Sequence, residues 1–174
     1  MGQTVGDVMA LLDVSRHAPP YPNNPPTLEK IMSVEQNKSV VRRYYDEVLN
    51  RGHIAVLDEL ATDNYIENDP FPGQGNGRTD LKVRVSTLLT AFSPCTFTID
   101  DIVAEGDRVV VRWRSSGNHS GDFLGMPPTH RDYTITGIDI HRLAAGQMAE
   151  HWHVVDQLSQ LQQLGMIPSP PSAP

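Results

Sequence analysis

Asp139, His141, His151 and His153 can hold, release or accept a proton near neutral pH, and all four fall within one stretch, Gly137 to Asp156 (GIDIHRLAAGQMAEHWHVVD). That stretch carries three of the chain's seven histidines and one of its two tryptophans. It reads as two strands joined by a tight turn at Ala144-Ala145-Gly146. With Asp139 opposite His153, antiparallel pairing sets Ile140 against Trp152, His141 against His151 and Arg142 against Glu150. Side chains alternate faces along a strand. Asp139, His141, His151 and His153 therefore share one face. Ile138, Ile140, Arg142, Glu150, Trp152 and Val154 share the other.

Two chemistries suit the titratable face. In the first, Asp139 and His153 form an acid/base pair. The carboxylate orients the ring and stabilises the imidazolium, while the imidazole takes a proton from one atom and returns it to another. In the second, His141, His151 and His153 with Asp139 ligate zinc or iron, as a His-x-His strand with a cross-strand histidine and a carboxylate can. The metal-free pair is the favoured reading, because perturbed titratable pairs concentrate in clefts. A buried pair that satisfies only its own hydrogen bonds is the bland alternative.

The rest of the chain must hold this hairpin. Residues 1–32 form an arm. Thr4 to Val14 has helical spacing, and five prolines between positions 19 and 26 make an extended linker. Ser33-Val34-Glu35-Gln36 resembles a capping box opening a helix that runs to about Asn50. Ile54–Leu60 gives a second short helix, and Thr79 to Phe92 a third, stopped by Pro94. Strands follow at Thr96–Val103, Arg108–Ser116, Tyr133–Leu143 and Met148–Val155. Gly117 to Gly121 breaks the second of them. Leu158 to Gly165 is a last helical turn, with Asp156 available to cap it, and residues 169–174 are a tail. Helices followed by a strand meander define an α+β domain over 33–168. A curved sheet around the helices predicts a cone, open at one end to a small molecule.

The composition narrows the function classes. A length of 174 residues suffices for one domain with a core, and a net charge of −7 without a basic stripe argues against nucleic acid. No apolar run approaches the roughly 18 residues needed to span a membrane. The single cysteine, Cys95, cannot form an internal disulfide, which fits a cytoplasmic protein. The apolar outer face of the hairpin should be buried against a partner, so a twofold homodimer through the convex sheet face is expected.

Six short motifs carry a family resemblance in order. They are Tyr65-Ile66-x-x-x-Pro70, Ala104-Glu105-Gly106-Asp107-Arg108-Val109, Gly117-x-His119-x-Gly121-x-Phe123-x-Gly125-x-Pro127-Pro128-Thr129, Gly137-Ile138-Asp139-Ile140-x-Arg142, Gly146-x-x-x-Glu150-x-Trp152 and Gln163-Leu164-Gly165. Together the chain resembles the SnoaL-like polyketide cyclases (ester cyclases) of the nuclear-transport-factor-two-like, cystatin-like fold. The resemblance implies a curved sheet wrapped around three helices, and ring closure by intramolecular aldol condensation without metal or cofactor. It also implies that the family's catalytic aspartate position falls on His153 and its histidine position on Asp139, an exchange across the hairpin. Two further pocket positions fall on Leu49 and Arg84. In the family His119 contributes to the pocket mouth. Trp113 alternates with Val109 and Val111, which makes it core or pocket wall, and Phe123, His141 and His151 are further substrate-binding candidates. Isomerisation, dehydration and ligand binding without chemistry are the competing functions.

Overall fold

The computed structural model describes residues 28–168. Residues 1–27 of the expected arm and the tail at 169–174 lie outside the described residues.

Helix α1 covers Leu28–Arg43 and continues as a wider, π-helical segment, Tyr44–Leu49. Ser33 thus lies inside the helix instead of capping it, because the helix formers upstream (Leu28-Glu29-Lys30) carry the helix through. Val41, Tyr44, Tyr45, Val48 and Leu49 are buried, the stripe expected from helical spacing. Asn37 donates to the carbonyl of Gly106 (3.1 Å), tying α1 to a strand turn. A 3-10 turn, Ile54–Val56, leads into α2, Leu57–Leu60. Strand β1 follows at Ala61–Glu67, and helix α3 at Arg78–Ala91.

The sheet is completed by β2 (Phe92–Glu105), β3 (Arg108–His119), β4 (Asp132–Ala144) and β5 (Gln147–Val155), in the order β1-β5-β4-β3-β2. Four strands form the expected antiparallel meander. β1 adds a fifth, parallel to β5, with Glu67 beside His151. Pro94 does not precede the first long strand but lies within it. β2 is an edge strand, where a missing N–H is tolerated. Gly117 does not break β3. A Cβ there would meet the Pro94 carbonyl oxygen at 2.6 Å, so the glycine permits close approach of two strands.

The β4–β5 hairpin has the register expected from its sequence: Asp139 pairs with His153, Ile140 with Trp152, His141 with His151 and Arg142 with Glu150. Ala145 and Gly146 both have positive φ (49° and 79°), as a two-residue turn of this twist requires. Helix α4, Gln157–Gln163, is capped by Asp156, whose Oδ1 accepts from Ser159 N at 3.1 Å. The core lies between α1, α3 and the concave sheet face, with Val109, Val111, Trp113, Ile135, Leu143 and Met148 contributed by the strands.

Candidate active site

The inner face of the hairpin is sealed by the helices. His141 is 0% exposed, and Asp139 and His151 are each 6% exposed. The three histidine rings form a ladder. His141 stacks on His151 with centroids 4.7 Å apart, and His151 on His153 at 5.2 Å, both tilted by only 19°. Cross-strand pairing sets this spacing, since His141 and His151 are partners and His153 is the next inward residue of β5.

The structure places Asp139 and His153 opposite each other but does not join them as a pair. Oδ2 of Asp139 accepts a short hydrogen bond from the Tyr45 hydroxyl, and lies 3.6 Å from His151 Nε2 and 4.0 Å from His141 Nε2. The carboxylate facing His153 belongs instead to Glu67, whose Oε1 is 3.6 Å from His153 Nδ1. The other oxygen of Glu67 is 2.9 Å from His151 Nδ1. Parallel pairing of β1 with β5 brings Glu67 there, and its side chain is almost fully buried.

Arg84 faces inward from α3, as the resemblance implied. It donates to Gln74 Oε1 (3.0 Å) and to the Asp69 carbonyl (3.2 Å), and sits 3.8 Å from Glu67. Its guanidinium covers the Phe71 ring at 4.1 Å, and its Nη2 lies 3.4 Å from His153 Nε2. A guanidinium can only donate, so Nε2 of His153 is the acceptor, and the ring proton belongs on Nδ1, toward Glu67.

Charge inside the ladder follows from these contacts. Burial would raise the Glu67 carboxyl, but the hydrogen bond to His151, the nearby ring of His153 and the charges of His151 and Arg84 hold it down at about 2. Asp139 is likewise lowered: burial opposes ionisation, and His151, His141 and the Tyr45 hydroxyl overcome it. His151 lies between the two carboxylates. Burial disfavours its charge, yet Asp139 and Glu67 lift it to about 9. His141 is pushed down to about 3 by burial and by the charge on His151.

The remaining sequence candidates separate into two groups. Leu49 is a core residue packed in the hydrophobic cluster. Trp113 forms a wall against Phe97 (5.5 Å), and Gly137 makes room for it: a Cβ on Gly137 would fall 2.2 Å from Trp113 Cζ2. His119 is fully buried and its Nδ1 accepts the Thr129 N–H at 3.2 Å, fixing the loop after β3. Phe123 stands between Phe71 (5.6 Å) and Phe92 (4.9 Å). Phe71 therefore links the aromatic group to Arg84 and the ladder. The open interior expected of the cone is packed at the level of the histidines. Two surface pockets, of about 330 and 260 Å³, lie elsewhere, one beside Val83, Thr87 and Asp122 and one beside Asn37 and Gly146.

Glu67 and Tyr45 were not among the sequence candidates. Parity along β1 puts Glu67 on the same face as the buried Tyr65, and that signal was available. Tyr45 was legible only as part of an apolar stripe.

The family model for SnoaL-like polyketide cyclase matches residues 39–164, and the chain belongs to that family. Among solved structures, TsrD from Streptomyces laurentii superposes with a TM-score of 0.70 at 27% identity, over 76% of this chain and 97% of that one. IdmH from Streptomyces antibioticus, described as a candidate polyketide cyclase, gives a TM-score of 0.64 at 30% identity, over 75% and 99% of the two chains. A candidate SnoaL-like polyketide cyclase from Jannaschia sp. CCS1 shares the fold with a TM-score of 0.69 at 24% identity, over 86% of this chain and 100% of the other. No curated protein sequence matches this one.

Proposed function

We propose that this chain performs acid/base chemistry on a small, apolar, oxygenated molecule, with aldol-type ring closure of a polyketide-like substrate as the reaction. One observation carries the reading. His153 is where the buried ladder meets the surface, with its side chain 11% exposed, a carboxylate behind Nδ1 and a guanidinium at Nε2. In the reaction, Nε2 removes a proton from a carbon flanked by carbonyls. Glu67 steadies the imidazolium that forms. Arg84 turns its N–H groups to the enolate oxygen. The enolate carbon then attacks a second carbonyl of the same molecule, and the imidazolium returns its proton to the new alkoxide. Every bond and proton balances without a redox partner. Asp139, the partner first expected for His153, supports the ring of His151 instead.

Isomerisation or dehydration uses the same first step and differs in where the proton goes. A non-catalytic binding protein would release its ligand unchanged. Incubation with linear poly-β-carbonyl compounds, followed by mass spectrometry and NMR of the product, separates the three. Ring closure abolished by His153→Ala supports the reading, and full turnover by that variant overturns it.

The outer sheet face supports a second copy as partner. Val103, Val110, Ile140 and Trp152 form a cross-strand row over four strands. Ile138 (47% exposed) and Val154 (75%) lie beside that row, and Arg142 donates to Glu150 at 2.9 Å on its other side. A row that is apolar at its centre and charged at its rim suits an isologous twofold contact. Among the described residues no helix is long and apolar enough to cross a membrane. With one cysteine in the chain, we place the protein in the cytoplasm.

A further inference from the structure

Gln74 is placed by a type II turn, Phe71-Pro72-Gly73-Gln74. Proline presets φ at the first central position, and Gly73 has the positive φ (79°) that the second requires. Gln74 N donates to the Phe71 carbonyl at 2.9 Å and closes the turn. Both ends of the turn reach Arg84. The Phe71 ring lies 4.1 Å from the guanidinium carbon, and Gln74 Oε1 accepts from Arg84 Nη1 at 3.0 Å. The same Oε1 accepts from the Phe71 N–H at 3.0 Å. Both partners can only donate, so the oxygen and nitrogen of this amide are not interchangeable. Nε2 of Gln74 is left buried with no acceptor. A buried donor without an acceptor is costly and requires an explanation.

Arg84 by itself is short of donors for the enolate of the proposed reaction. The two N–H groups of Nη1 are taken by Gln74 Oε1 and by the Asp69 carbonyl at 3.2 Å. Nε lies 3.8 Å from Glu67 Oε2. Nη2 remains, and one of its N–H groups faces His153 Nε2 at 3.4 Å. We propose that Gln74 Nε2 is a second oxyanion donor. Together with Arg84 Nη2 it binds the substrate oxygen that becomes negative when His153 takes the proton. This assignment deepens the acid/base reading of His153 and rests on it.

Two further observations fit that role. Gln74 and His153 are both half-buried, at the rim where the ladder meets the surface, and Arg84 bonds to each, so one small molecule can touch all three. The Gln74 amide is also held in advance, because its oxygen is fixed by two donors and its nitrogen need not reorient as charge develops. The two donors act in one step. Once Nε2 of His153 carries the substrate proton it no longer accepts from Arg84, and that Nη2 N–H is released to the enolate. No covalent bond forms or breaks at Gln74.

The test compares the full chain with Gln74→Glu and Gln74→Met. Glutamate keeps an oxygen for Arg84 and the Phe71 N–H but has no donor. Methionine is uncharged, similar in length, and has neither. The probe is 4-nitrophenolate, whose absorbance reports binding, with 4-nitroanisole as a ligand of like shape without the negative oxygen. Wild type should bind the phenolate, and both variants should bind it at least roughly tenfold more weakly, as loss of a hydrogen bond to a charged group does. 4-Nitroanisole should bind all three proteins alike. With a linear poly-β-carbonyl compound, kcat should fall roughly a hundredfold in both variants while KM changes little, since the donor acts on charge that develops in the transition state. Wild-type phenolate affinity in Gln74→Glu would assign the amide to holding the loop alone. Wild-type affinity in Gln74→Met would assign the loss in Gln74→Glu to its charge. Either result overturns the proposal, as does a wild type that binds no phenolate. Full ring closure by both variants, where His153→Ala abolishes it, also overturns the role of Gln74 and leaves the reading of His153 standing. The phenolate needs no turnover, so a wild type that binds it through Gln74 yet closes no ring supports the donor and removes only the reaction.

Discussion

The two faces of one hairpin differ more than any other two regions of this molecule. On the inner face, Asp139, His141 and His151 are buried, where ionisable groups are costly. On the outer face, Ile138 and Val154 are exposed, where apolar groups forgo burial. Each face thus inverts the usual distribution. The inner inversion is sustained by carboxylates, a tyrosine hydroxyl and a guanidinium drawn from β1, α1 and α3. Among the described residues, the outer face carries the Arg142–Glu150 pair, the Asp100 carboxylate with Arg112 and Arg114, and Arg108, whose guanidinium lies 5.2 Å from the Trp152 ring. The proposed function assigns each inversion a purpose: the inside is polar for acid/base chemistry, and the outside is apolar for contact with a second copy.

The sharpest way to break that comparison is to remove Glu67. Glu67→Ala strands Arg84 and a charged His151 in the interior, and should cost about 3–5 kcal/mol of unfolding free energy in urea titration. A loss below 1 kcal/mol would mean the inner polar network does little for stability. Next comes His153→Ala. Turnover should fall roughly a hundredfold or more, about 2.7 kcal/mol in barrier, while the urea midpoint moves little. Gly137→Ala tests the inner wall by overpacking. Its Cβ collides with the buried Trp113 ring, and a destabilisation of about 1–3 kcal/mol is expected from thermal melts. The smallest effect on the chain itself belongs outside. Val154→Lys should change unfolding by no more than about 0.5 kcal/mol, yet shift sedimentation from dimer to monomer. Wild type sedimenting as a monomer would remove the partner from the comparison and leave the apolar face unexplained.

Much of this is legible in the sequence alone. The β4–β5 register and the division of its faces follow from a two-residue turn and strict alternation, both local properties. Asp156 as a cap and the α1 stripe were readable for the same reason. The errors were local signals overruled by context. Pro94 reads as lying ahead of the first long strand and Gly117 as a breaker, but an edge strand accepts the proline and strand packing demands the glycine. Ser33 reads as a cap, but the helix was already under way.

The sequence by itself determined the family, the α+β class and which four residues share the inner face of the hairpin. Tertiary structure decided which acid serves which histidine. Glu67 reaches His151 across 84 residues, and Tyr45 reaches Asp139 across 94. No periodicity encodes such pairings. They arise because β1 adds to the sheet in parallel beside β5 and α1 packs across the concave face, so the same residues read first as an Asp139–His153 pair become two clusters sharing His151.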